Sequence, residues 1–123
     1  MFDCALPTRI ARNGALFTGE GRVHVYTARF RSVEGPIDPE CDCYTCVGFS
    51  AAYLHHLFRA KELLAMRLGT IHNLRFIFRL MRDVRAAIVE GRFAEFRAAF
   101  HQRYVPANEA RRQEQMTKRG SRG

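Results

Sequence analysis

Three thiols fall within six residues, Cys41-Asp42-Cys43-Tyr44-Thr45-Cys46. An odd set this close cannot pair off in mutual disulfides, but a tight turn can aim all three inward at one soft ion. Thiolates suit a tetrahedral zinc ion, which then needs one more nitrogen or sulfur donor. Three later histidines are within reach of that corner, His55, His56 and His72. Spacing leaves the choice among them open. A ligand at His72 would close a loop around a whole intervening helix and couple metal binding to folding, whereas His55 or His56 would fasten only the adjoining helix. The competing reading is ordinary buried thiols or a redox pair. Cysteines crowded beside Asp38, Glu40 and Asp42 are poor core material, which favours the metal. These three acids read as solvated groups or as an outer layer around the ion. His55 and His56 otherwise read as helix surface and a helix–helix contact, and Cys4, far from the knuckle, as a small packing residue.

The elements that must position these groups follow from the patterning. Met1, Phe2 and Leu6 read as the end of a buried strand, with Pro7 stopping regular structure and Asn13-Gly14 turning the chain. Ala15–Thr18 and Arg22–Tyr26 flank Gly19-Glu20-Gly21, a hairpin pattern with a glycine-bearing loop. From about Phe49 to Leu68 the apolar residues Tyr53, Leu54, Leu57, Phe58, Leu64 and Leu68 recur at a helical period, with Gly69 as a C-terminal cap. Thr70 or Asn73 then opens a second helix. It carries Leu74, Phe78, Met81, Val84 and Ile88 on its apolar face and Arg75, Arg79, Arg82 and Arg85 beside it, and ends at Gly91. A last helix, about Arg92 to Tyr104, presents Phe93, Phe96, Phe100 and Tyr104 as core and stops before Pro106.

Length and composition bound the rest. A chain of 123 residues with 47% hydrophobic content is one folded domain at most. No apolar run approaches a membrane span and no leader pattern opens the chain, so the cytoplasm is the expected compartment. The net charge of +8, carried mostly by arginine, points to a polyanionic partner, since the planar guanidinium suits phosphates and base edges. Residues 106–123, basic and poor in apolar side chains, are expected to be a disordered tail.

Five segments together resemble one family: M-F-D-C-A-L-P-T-R-I-A-R-N-G, D-P-E-C-D-C-Y-T-C, A-Y-L-H-H-L, T-I-H-N-L and E-G-R-F-A-E-F-R. They are similar to the C-terminal portion of bacterial tRNA-guanine transglycosylase, or queuine tRNA-ribosyltransferase, from residue 1 to about residue 104. The resemblance implies an α/β fold: the C-terminal fragment of a (β/α)8 TIM barrel, with the end of strand 8, the last helix, and an inserted zinc-binding subdomain of a short hairpin plus helices. It divides the chain into residues 1–14 (strand end and tRNA-contacting loop), 15–72 (zinc subdomain), 73–105 (last barrel helix and the helix after it) and the tail, 106–123. It further implies Asp3 as nucleophile. Cys41, Cys43, Cys46 and His72 would be the ligands of one structural zinc ion per chain, and Thr8, Arg9, Ile10, Ala11 and Arg12 the segment reading the anticodon loop, with Arg9 and Arg12 in direct contact.

The implied activity is exchange of the wobble guanine of GUN-anticodon tRNAs for a 7-deazaguanine in queuosine biosynthesis. An ionised Asp3 would displace guanine from the ribose and itself be displaced by the incoming base, so that two inversions retain configuration. Partners would be tRNA, the deazaguanine base and, in the complete enzyme, a second copy. Family members are roughly three times as long, the size of a whole barrel with insertions. The expectation is therefore a gene fragment or an incomplete gene model, inactive in base exchange by itself because seven strands and the second catalytic aspartate are missing. The alternative is a zinc-stapled tRNA-binding module or accessory subunit without chemistry.

Overall fold

Proline in a first helical turn costs little, because the backbone N–H it lacks has no partner there anyway. The computed structural model, which describes residues 3–106 and 116–117, opens on that arrangement. Leu6–Arg12 is a helix, α1, with Pro7 in its first turn. This corrects the expectation that Pro7 stops regular structure. It also corrects Leu6, which is exposed on the helix rather than buried in a strand end. Met1 and Phe2 lie outside the described residues, as do 107–115 and 118–123 of the expected disordered tail. Cys4 is exposed, not a packing residue.

After the turn at Asn13-Gly14, strands β1 (Ala15–Thr18) and β2 (Gly21–His24) pair antiparallel, from Ala15 opposite His24 to Thr18 opposite Gly21. The hairpin is where the sequence puts it, although Val25 and Tyr26 have already left the sheet. Two strands alone are marginal. This pair persists because α1 and the long helix α4 (Leu63–Val89), which also pack on each other, both lie against β1, whose residues are all buried. A 3-10 turn at Ala28–Phe30 leads to the cysteine loop, then to the short helix α2 (Tyr44–Gly48) and to α3 (Ala51–Arg59), whose N-terminus is capped by the Ser50 hydroxyl accepting from the Tyr53 N–H at 3.1 Å.

The helices break elsewhere than expected. α3 stops at Ala60, and α4 runs through Gly69, Thr70 and Asn73 without interruption, across the 72/73 boundary between the expected segments. The stop is a Schellman motif: Lys61 donates to the Phe58 carbonyl and Glu62 to the Leu57 carbonyl, with Lys61 in the left-handed region at φ 57°. The same motif closes α4, where Gly91 donates to Ile88 and Arg92 to Ala87, and there the left-handed residue is the expected glycine. Gly69 serves packing instead. A Cβ on it would sit 3.2 Å from Leu16 Cδ2 and 3.3 Å from Phe58 Cζ, so its absence lets α4 lie close on β1 and α3.

The buried stripe of α4 is Ala65, Leu68, Gly69, His72, Asn73 and Phe76, with Ala87 beyond. The expected face is largely the wrong one: Phe78, Met81 and Ile88 are exposed, while Leu74 and Val84 are half-buried. Two apolar stripes share this helix, and the hairpin, α1 and α2 occupy one of them. The last helix, α5 (Phe93–Arg103), buries no residue fully. Its aromatics form a partly covered edge, Phe100 stacking on Tyr104 at 5.2 Å and Tyr104 meeting Phe76 at 6.5 Å, rather than a core. The main core joins Leu16, Val25, Leu54, Phe58 and Leu68 to the knuckle cysteines. No helix among the described residues is long and apolar enough to cross a membrane.

Candidate metal centre

Cysteine can cap a helix through its sulfur, and that is how the knuckle is folded. Cys43 is the N-cap of α2, its Sγ accepting from the Cys46 N–H at 3.3 Å. This sets two sulfurs on one side of the turn. Cys41 follows a bend closed by its own N–H to the Asp38 carbonyl at 3.1 Å. α4 brings His72 from well inside its length, not from a helix start as expected. Cys41, Cys43, Cys46 and His72 are all buried, and their donor atoms lie within 4.8 Å of one another. His72 Nδ1 stands 3.5 Å from Cys43 Sγ and 3.3 Å from Cys46 Sγ.

These separations fit a tetrahedral ion. Metal–sulfur and metal–nitrogen bonds of zinc length imply sulfur–nitrogen edges of about 3.6 Å and sulfur–sulfur edges of about 3.8 Å. The imidazole is also in the right tautomer. His72 Nε2 lies 2.6 Å from the Phe17 carbonyl, which can only accept, so Nε2 carries the hydrogen and Nδ1 turns its lone pair to the sulfurs. Cys41 and Cys46 both donate to the Cys43 sulfur and hold its thiol well below the usual range. The same contacts, Cys41 first, together with burial push the Cys46 thiol up. One sulfur is thus held ready as a thiolate while its neighbour Cys46 keeps its proton until a cation displaces it. The group can therefore hold a metal ion.

Of the neighbouring acids, Glu40 and Asp42 are solvent-exposed as expected, each with an arginine partner, while Asp38 is buried. Asp38 is buried and its Oδ1 accepts from the Glu40 N–H at 3.0 Å. Asp42 takes a two-pronged guanidinium contact from Arg75, at 2.9 and 2.7 Å, which draws its carboxyl down to about 2. Glu40 pairs with Arg103 of α5. His55 is not a surface group: it is buried, its Nδ1–H donating to the Val25 carbonyl at 2.7 Å, while His56 is exposed. Neither joins the cluster.

The remaining predicted residues lie apart from the cluster. Asp3 is exposed, outside any regular element, shortly before α1. Of the predicted RNA-reading segment, Arg9 and Arg12 point to solvent and Thr8 is half-buried, its hydroxyl donating to the Ala5 carbonyl at 3.0 Å. Ile10 and Ala11 are buried in the cores, so their side chains are not available to RNA.

Asn73 escaped the sequence reading, which took it for a helix cap. It is fully buried; its Oδ1 accepts from the Phe17 N–H at 3.0 Å and its Nδ2 donates to the Pro7 and Ala15 carbonyls at 2.9 and 3.0 Å. Consecutive side chains of α4, His72 and Asn73, thus bind the carbonyl and the N–H of one β1 residue. A polar residue next to a candidate ligand, in an otherwise apolar stripe, was the signal available.

A family model described as queuine tRNA-ribosyltransferase matches residues 1–106. Proteins named queuine tRNA-ribosyltransferase from three strains of Dehalococcoides mccartyi are 57%, 56% and 55% identical over 118 residues, each covering 96% of this chain. The chain spans 30% of the length of these relatives.

Proposed function

The chain belongs to the queuine tRNA-ribosyltransferase family, and we propose that it forms the metal-stapled, tRNA-contacting C-terminal part of a tRNA-guanine transglycosylase. In this reading the ion is zinc, held by Cys41, Cys43, Cys46 and His72, and its part is structural: all four positions are filled by protein, which leaves none open for a substrate. Residues 1–14 continue from the last strand of a (β/α)8 barrel, and the exposed stripe of α4 with Phe78, Met81 and Ile88 packs against the rest of that barrel. The setting is the cytoplasm, where tRNA is modified.

Asp3, exposed and three residues before α1, is the proposed nucleophile. Its carboxylate forms a bond to the ribose anomeric carbon as the bond to guanine breaks. The incoming 7-deazaguanine then breaks the ester and restores the carboxylate, so no external energy source is needed. Arg9 and Arg12, exposed on the outward side of α1, hold the phosphates of a splayed GUN anticodon loop, with Thr8 beside them. A second copy completes a homodimer.

The observation that carries this reading is the family match over residues 1–106 together with a buried three-cysteine, one-histidine cluster within it. The test is exchange of labelled guanine into cognate tRNA by the complete enzyme with Asp3→Asn. Loss of exchange and of a denaturation-resistant protein–RNA adduct, with tRNA affinity kept, is expected. Unchanged exchange refutes the nucleophile, and tRNA binding without exchange in the unsubstituted enzyme favours an accessory module.

A further inference from the structure

The loop that carries the cysteines does not merely touch α4. It runs along it in the opposite direction, fastened at successive points by one stripe of the helix. The Thr45 hydroxyl donates to the Leu68 carbonyl at 2.7 Å, and Cys43 and Cys46 face His72. Arg75 grips Asp42 through Nε and Nη2, and Arg79 Nη1 donates to the Glu40 carbonyl at 2.8 Å. Residues 68, 72, 75 and 79 recur at helical spacing, so they lie on one line. Two arginines that composition alone would assign to a polyanion are committed to the loop.

We propose that Arg75 and Arg79 are positioning residues of the metal centre, holding the cysteine loop in register on α4 and slowing release of the ion. Only one of the three knuckle sulfurs sits within a helix, and Cys41 lies on a loop held otherwise by its own N–H to Asp38 and by the exposed pair of Glu40 with Arg103. The two arginines bracket that cysteine, one through Asp42 and one through Glu40. The charge has the right sign as well. A divalent ion with three thiolates and a neutral imidazole carries a net negative charge, and the two guanidinium groups lie against the loop on either side of Cys41. A planar fork meeting a carboxylate with two bonds fixes direction as well as distance, which lysine would not do.

The inference rests on the metal reading, and the test separates the two. Zinc-loaded protein is mixed with excess chelator, and release is followed by absorbance of the zinc–chelator complex. Arg75→Ala is expected to speed release about threefold to tenfold, between what an exposed ion pair and an outer-layer partner of a metal ligand usually contribute. Asp42→Asn, which cuts the same contact from the loop side, gives a similar increase, and Asp42→Arg with Arg75→Asp recovers most of the slow rate. Raising salt to about 1 M brings the unsubstituted protein toward Arg75→Ala while leaving that variant little changed, since the pair is exposed. Helicity at saturating zinc stays the same throughout. Release as slow in both single variants as in the unsubstituted protein overturns the clasp and leaves the metal reading intact. Helix lost in both at saturating zinc also overturns it, because the contact then serves the fold. Unsubstituted protein that takes up no zinc overturns the metal reading itself.

Discussion

Asn73→Ala tests whether the two elements that carry Phe17 and His72 are locked by hydrogen bonding. The buried amide makes three bonds, to Phe17 N–H, Pro7 C=O and Ala15 C=O. Each is worth about 1 kcal/mol net, and each backbone group left bare in a dry site costs about 1–3 kcal/mol. Alanine recovers roughly 0.6 kcal/mol in helix propensity. The expected loss is therefore about 3 kcal/mol, a large fraction of the roughly 5–15 kcal/mol that domains possess. Urea unfolding at saturating zinc should show a midpoint lowered by about 1–3 M with an unchanged slope. Asn73→Asp sharpens the test. It keeps the shape and the acceptor for Phe17 but turns the donor end into an acceptor facing two carbonyls, so it should cost at least as much as alanine. A loss under about 1 kcal/mol for alanine, or a neutral aspartate variant, would refute the reasoning, since water would then be serving those groups.

Three further outcomes follow from other sites. Lys61→Gly should stabilise the protein by roughly 1 kcal/mol, because the left-handed φ of 57° strains a side chain and suits glycine; thermal unfolding checks it, and destabilisation would refute it. Zinc uptake near pH 7 should release protons, because the Cys46 thiol is pushed up even though Cys43 is held well below the usual thiol range. Protons competing with the ion for the Cys46 sulfur should weaken zinc binding as pH falls; calorimetry in buffers of different ionisation enthalpy detects the release, and an apparent enthalpy independent of buffer would refute it. Arg9→Ala with Arg12→Ala in the complete enzyme should weaken tRNA binding and reduce its salt slope by about one to two units, since both side chains are exposed and each phosphate contact releases counterions; an unchanged slope would move the contacts elsewhere.

Chemistry confined to neighbouring residues was legible in the chain itself. The odd number of thiols in the knuckle excluded full disulfide pairing, Asn13-Gly14 announced a turn, and Gly91 announced a helix end, because each depends on local valence or backbone freedom. Spacing could not choose the fourth ligand among His55, His56 and His72. That choice is tertiary: α4 passes the knuckle at His72, while His55 turns to the Val25 carbonyl. Gly69 and Lys61 are the instructive pair. A glycine usually ends a helix, yet here it gives β1 and α3 room against one, and a lysine takes the left-handed position where nothing local required it. Periodicity likewise showed helix on both sides of Gly69 with apolar residues to spare, but either stripe satisfies the period. Which stripe is buried depends on where the hairpin and the cysteine loop come to rest, and that is decided by contacts between residues more than fifty positions apart, Phe17 with His72 and Asn73, which no local pattern records.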